Sequence, residues 1–183
     1  MLDDDYDLVS RCLKKDAEAE YKLYQRFAPR MFGICLRYGS NEMEAEEILQ
    51  DGFMRLFSRL HQFKFEGSME AWISRIFVTT AIIYYWKNLK HIREVELTNA
   101  CEDATFQEDA LSVLTTKELL ATIQRLPVGF RTVFNMFVIE NYSHKEIAGL
   151  LGISEGTSKS QLHRAKFCIR KMLKEMEAEH IIG

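Results

Sequence analysis

The stretch Tyr142–Lys166, YSHKEIAGLLGISEGTSKSQLHRAK, constrains the fold more tightly than any other part of the chain. Ser143 and Glu146 have the S-x-x-E spacing of a capping box, in which each side chain satisfies an orphan amide of a helix start. Ile147, Leu150 and Leu151 then recur at helical spacing, with the small pair Ala148 and Gly149 leaving room for a close neighbour. Gly152 supplies a turn, Ile153 an apolar anchor, and Ser154 a cap for a second helix whose inner face carries Leu162, Ala165 and Ile169. Its other face carries Thr157, Lys159, Ser160, His163, Arg164 and Lys166. The pattern predicts a helix-turn-helix. A polar, basic helix held on a rigid partner suits a DNA major groove about 12 Å wide. A surface helix of an ordinary bundle has the same pattern, and spacing alone leaves both readings open.

The net charge of −3 is unusual for a DNA-binding chain until it is divided along the sequence. Residues 1–93 sum to zero, residues 94–116 carry −6, residues 117–174 carry +6 and the last nine residues −3. The basic part is the part with the helix-turn-helix. The acidic part, which lacks periodicity from His91 to about Ala110, reads as an interdomain linker, so the expected organisation is a domain over 1–93, a linker over 94–110 and a domain over 111–183. No apolar run is long enough to span a bilayer, so no membrane insertion is expected. The acidic start MLDDDYD is unlike a secretory signal, and a cytoplasmic location is expected. Cys12, Cys35, Cys101 and Cys168 lie far apart without a C-x-x-C pair, which points to reduced thiols rather than a disulfide framework or zinc site.

The first half reads as helices throughout, so the fold class is all-α with two small helical domains. From Ala17 to Tyr38 the apolar positions Tyr21, Tyr24, Phe27, Ala28, Met31, Ile34, Cys35 and Tyr38 keep helical spacing, with Pro29 a point of kinking or division. After Gly39, Asn41 and Glu44 open a helix with acidic residues in its first half and an apolar stripe of Ala45, Ile48, Leu49, Phe53, Leu56, Phe57 and Leu60. The segment HQFKFEG, from His61, reads as a loop. Ser68 caps the helix that follows, where aromatic residues are interleaved with Arg75, Lys87 and Lys90, a composition suited to stacking single-stranded bases. Trp72, Ile76 and Phe77 fit its inner face, which leaves Tyr84, Tyr85 and Trp86 as the rings expected to be exposed. Further helices are expected from about Leu111 to Arg125, ending at Leu126-Pro127, and over GFRTVFNMFVIEN from Gly129.

These pieces in this order resemble the extracytoplasmic-function sigma factors, small two-domain initiation subunits of bacterial RNA polymerase. AEEILQDGFMRLF, from Ala45, is similar to the family's grip on the largest polymerase subunit, and the resemblance implies core contacts at Glu46, Glu47, Gln50, Asp51 and Phe53. FKFEGSMEAWISRIF, from Phe63, is similar to the loop and helix that open and read the −10 element. It implies contacts at Phe63, Lys64, Phe65, Glu66 and Gly67 and, on the helix, at Arg75, Thr79, Thr80, Ile83, Tyr84, Trp86 and Lys87. The stretch from Leu120 to Lys166 is similar to the −35-binding domain, which implies DNA contacts at Ser154, Thr157, Ser158, Lys159, Ser160, His163, Arg164 and Lys166. Where many relatives have asparagine followed by aspartate or asparagine on the −10 helix, this chain has Thr79 and Ile83, and the YYW run at Tyr84–Trp86 replaces a more basic pattern. Strand separation is therefore expected to rely more on stacking than on charge.

The resemblance further implies core RNA polymerase, promoter DNA and an anti-sigma protein as partners. Neither cofactor nor metal is expected, and no catalytic residue, since none of the five histidines pairs with a cysteine or carboxylate at a suggestive spacing. Two alternatives remain from the residues: a helix-turn-helix regulator with a helical sensing domain, and a helical adaptor whose basic helix meets an acidic protein.

Overall fold

The computed structural model describes the backbone of residues 2–96 and 116–182, with side chains over 5–87 and 117–176. Cys101 and residues 97–115, which include most of the expected linker, lie outside the described residues. Contacts divide the chain into two units, Met1–Tyr84 and Tyr85–Gly183. Among the described residues, every regular element is helical, and no helix is long and apolar enough to cross a membrane.

The first unit holds α1 over Leu2–Leu13, α2 over Ala17–Tyr38, α3 over Glu42–Arg59, a 3-10 turn at Leu60–Gln62 and, as far as Tyr84, the helix α4, which spans Met69–Glu96. Asp16 makes the first corner. Its carboxylate accepts the Glu18 and Ala19 amides at the start of α2 and the Arg11 Nε–H at 2.8 Å from the end of α1, so one side chain caps a helix and ties two together. The bond from Arg11, followed by the Ala19 amide, holds the Asp16 carboxyl below its ordinary range. Asn41 caps α3 by accepting the Glu44 amide, while the Glu44 carboxylate accepts the Ser40 amide.

Two expectations for α2 are corrected. Pro29 does not divide it: the helix is continuous and Pro29 is exposed, so the carbonyl left without a donor faces water. Tyr21 and Tyr24 are 59% and 41% exposed. The buried stripe runs instead through Ala19, Leu23, Phe27, Met31, Ile34, Cys35 and Tyr38. Both registers satisfy a spacing of three or four, and only packing against α3 selects between them.

The α3 stripe is buried at Ala45, Ile48, Phe53 and Leu56, with Leu49 and Phe57 half-buried. Gly52 lies where α3 meets α4; a methyl group there would overlap the ring of Phe77. Phe77 is fully buried and meets Phe53 edge-on at 5.1 Å, a favoured aromatic geometry. α4 runs on past His91 to Glu96. The backbone therefore stays helical past the point where the apolar periodicity is lost.

In the second unit α5 spans Thr116–Gln124, α6 Val128–Phe134, α7 His144–Leu151 and α8 Glu155–Ile182, with a π segment at Asn135–Ile139 between α6 and α7. The expected single helix over 129–141 is thus two forms: Glu140 N–H reaches the Asn135 carbonyl, a five-residue bond that widens the last turn. Arg131 is 1% exposed and donates to the Gln124 and Leu126 carbonyls at 2.8 and 3.5 Å. It satisfies the end of α5 from the next helix, a role that periodicity did not reveal. Leu126 and Phe130 pack with Ala165, Cys168, Ile169 and Leu173 of α8 to form the core of this unit. Cys12, Cys35 and Cys168 are free and buried, and burial pushes the Cys35 thiol up to about 12, far from reactivity near neutral pH.

Candidate nucleic-acid and polymerase interfaces

The helix-turn-helix forms as its spacing predicts. The Ser143 hydroxyl oxygen accepts the Glu146 amide, and the Glu146 carboxylate accepts the Ser143 amide at 2.8 Å and its hydroxyl at 2.6 Å. These bonds, led by the one from the Ser143 hydroxyl, hold the Glu146 carboxyl below its ordinary range. Gly152 closes α7 at φ 61, a left-handed conformation that suits glycine. Ser154 then accepts the Thr157 amide at 2.9 Å to start α8, and its hydroxyl is 2.8 Å from that of Thr157.

On α8 the residues expected to meet DNA divide by exposure. Ser154, Lys159, Ser160, His163, Arg164 and Lys166 are exposed and Thr157 is half-buried. Ser158, expected among these contacts, is 0% exposed, with its Oγ 2.9 Å from His144 Nδ1 of α7. The periodicity signal missed this because serine at that register is an acceptable surface residue. Leu162, Ala165, Cys168, Ile169 and Leu173 hold the inner face, and the cationic face points outward.

The aromatic loop of the first unit is built from rings packed at a tilt to one another. Phe63 lies 5.2 Å from Trp72 and 4.8 Å from Phe65, whose other side meets Tyr6 of α1 at 5.1 Å. Phe63 is 8% exposed, so most of its ring supports the loop from within. Phe65 takes φ 60 and Gly67 φ 102, a strained shape for a phenylalanine that its two ring neighbours over-determine. Lys64, Glu66 and Gly67 are exposed and Phe65 half-buried. Ser68 caps α4 by accepting the Ala71 amide.

Along α4, Arg75, Thr79 and Lys87 are exposed, and Ile83 and Tyr84 half-buried. Thr80 is 1% exposed and donates to the Ile76 carbonyl at 2.8 Å, so it belongs to the core and is corrected as a contact. Among the three rings expected to be exposed, Trp86 is 41% exposed, while Tyr85 at 6% is buried. Helical rotation of about 100° per residue cannot place three successive side chains on one face.

The candidate polymerase contacts lie beside a groove of about 550 Å³ between α2 and α3, lined by Tyr24, Phe32, Glu46, Leu49, Gln50, Phe53, Met54 and Phe57. Glu46, Glu47 and Gln50 are exposed and Asp51 half-buried. Phe53 is 5% exposed and packs at a tilt against Tyr24 at 4.6 Å, so it forms part of the groove wall. Tyr24, Phe32 and Met54 were missed from sequence. Met54, 66% exposed, carried a signal, since it is an apolar residue outside the inward stripe of α3.

Comparison with known proteins gives this geometry a family. Residues 23–91 match the family profile for Sigma-70 region 2 and residues 116–176 that for Sigma-70 region 4, together most of the chain. The RNA polymerase sigma-H factor of Pseudomonas aeruginosa is 26% identical, with 96% of each chain covered. The ECF RNA polymerase sigma factor SigW of Bacillus subtilis is 28% identical over 92% of this chain and 96% of that one. Among solved structures, the sigma factor RpoE in complex with the anti-sigma factor NepR from Bartonella quintana matches with a TM-score of 0.50, at 20% identity over 84% of this chain and 96% of that chain, which shows a shared fold. With its region 2 and region 4 stretches in order, this chain belongs to the sigma-70 family, among the extracytoplasmic-function RNA polymerase sigma factors.

Proposed function

We infer that the chain binds core RNA polymerase and directs it to promoters by recognising a −35 element through α8 and a −10 element through the Phe63–Gly67 loop and α4. The observation that carries this reading is the outward face of α8: Lys159, His163 and Arg164 are exposed on a helix capped by Ser154 and held by an apolar inner face. Lysine and arginine there meet phosphates or the guanine edge, the latter contributing about 1–3 kcal/mol of base discrimination.

The groove between α2 and α3, lined in part by the exposed Glu46 and Gln50, suits an apolar, basic helical segment of the polymerase. The loop supports capture of an unpaired base, whose extrusion costs a few kcal/mol that a fitted pocket offsets. Residues 94–110 serve as an acidic linker between the −10-reading and −35-reading domains. The chain acts in the cytoplasm as an initiation subunit without catalysis of its own, under an anti-sigma partner. A solved relative was captured with such a partner.

The first 93 residues sum to zero charge, so most phosphate attraction must come from the polymerase, and the free chain binds promoters weakly. Run-off transcription with core polymerase, followed by sequencing of the starts, tests the reading. Starts preceded by a common pair of elements are expected. Tight specific DNA binding without core, or starts without such elements, overturns it.

A further inference from the structure

We propose that His144 and Ser158 form a polar lock that fixes the rotation of α8, making His144 a positioning residue for −35 recognition; this rests on the function proposed above. The apolar grip on α8 starts late. From Ser154 to Gln161 the one buried side chain is Ser158, and the first buried apolar residue is Leu162. Across the first two turns, which carry Thr157, Lys159 and Ser160, Ser158 is thus the one fully buried side chain, with Thr157 and Gln161 half-buried beside it.

Apolar packing is non-directional and tolerates rotation of a helix about its axis. A hydrogen bond weakens steeply away from linear geometry, so it selects one rotation. Ser158 Oγ lies 2.9 Å from His144 Nδ1, and a buried hydroxyl left without a partner is costly, which favours keeping this pairing.

His144 is itself held. It is the first residue of α7, directly after the capping Ser143. Its ring lies nearly flat on Phe137, with centroids 4.4 Å apart and planes 20° apart. Phe137 belongs to the π segment Asn135–Ile139, so the wide turn brings a flat surface under the imidazole. The π segment, α7 and α8 thus meet at one ring. Because Ser158 lies between Thr157 and Lys159, its orientation is transmitted directly to both.

The test uses full-length chain with core polymerase on a promoter mapped by transcription-start sequencing and on the same promoter with its −35 element scrambled. The readout is the ratio of the two transcription rates, with thermal melting of each variant as the folding control. His144→Ala and Ser158→Ala are each expected to lower the ratio about fivefold, the change expected for loss of one buried hydrogen bond of about 1 kcal/mol. The double variant should lower it no further than either single one. His144→Asn, which keeps a hydrogen-bonding group near the Nδ1 position, should recover at least half of the wild-type ratio. Additive losses, an unchanged ratio, or an asparagine variant as poor as alanine overturn the lock. If the wild-type chain itself shows no −35 dependence, the function proposed above falls and the lock falls with it; wild-type dependence retained by the variants refutes the lock alone.

Discussion

Replacing Gly52 by alanine tests how α3 is seated on α4, and Gly33 supplies an internal reference. Both glycines lie inside helices, Gly33 in α2 and Gly52 in α3. A methyl group at Gly33 meets nothing within 4 Å, whereas at Gly52 it overlaps the Phe77 ring. Alanine gains about 0.5–1 kcal/mol over glycine within a helix, and that term is common to both variants. Their difference therefore isolates the clash. Phe77 is fully buried and backed by Phe53 at 5.1 Å, so the ring cannot swing away without displacing a second ring. Overpacking of this kind costs about 1–3 kcal/mol.

Gly33→Ala is accordingly expected to be neutral or stabilising, and Gly52→Ala to fall about 1–3 kcal/mol below it. In a unit of this size each kcal/mol moves the melting temperature by roughly 4–8 °C, so a gap of at least about 4 °C should appear. Urea titration followed by tryptophan fluorescence, with Trp72 reporting on the first unit, measures the same gap as a free energy. Core-polymerase affinity should fall alongside, because the groove is walled by Phe53 on the helix being displaced. Equal stability of the two variants would refute the close approach of α3 and α4.

Other perturbations separate the surfaces. Lys159→Ala and Arg164→Ala should each reduce discrimination between promoters differing in the −35 element by roughly 5- to 150-fold, measured by competitive run-off transcription; equal losses on all templates would assign them to phosphates instead. Met54→Glu should weaken core binding more than about fivefold while shifting stability by less than about 0.5 kcal/mol, since Met54 is 66% exposed; unchanged affinity by fluorescence titration removes the groove from the interface. Trp86→Ala should slow strand opening more than closed-complex binding, as stacking would require; an unchanged permanganate-footprinting rate would count against it. The Glu146 carboxyl is depressed by its bonds from Ser143, so its support of α7 is present above its unfolded pKa and lost as pH falls through the lower folded value. Glu146→Gln should flatten that acid limb in melts recorded below about pH 4.5, and an identical limb would refute the assignment.

Local rules made the helix-turn-helix legible because its signals are local. A capping box spans four residues and a left-handed glycine one, and both have the predicted geometry at Ser143, Glu146 and Gly152. The phase of a helix against its neighbours is not local. Tyr21 and Tyr24 fit the same spacing as Leu23 and Phe27, and packing selected the second register. Ser158 and Thr80 illustrate the same limit for polar residues. A small hydroxyl is at home on a surface or, with one bond, in a core, and its partner lies on another turn or helix. Arg131 is the extreme case, because a buried arginine is readable only when the carbonyls it serves are already placed.

The two units use different physics on their outward faces, and the division of charge accounts for it. Residues 117–174 carry +6, and their exposed cations on α8 suit duplex phosphates, whose attraction is long-ranged and screened by salt. The first 93 residues sum to zero and present packed aromatic rings and an apolar groove, whose contacts are short-ranged. A surface that depends on distance-tolerant attraction needs its angular precision from elsewhere, and the capped, hydrogen-bonded start of α8 supplies it. A surface that depends on contact carries its precision in its own shape, which is why Phe65 is held in a left-handed conformation between two rings. On the proposed function, charge would bring the second unit to duplex DNA, whereas the first unit would act only where the polymerase has already placed a strand against it.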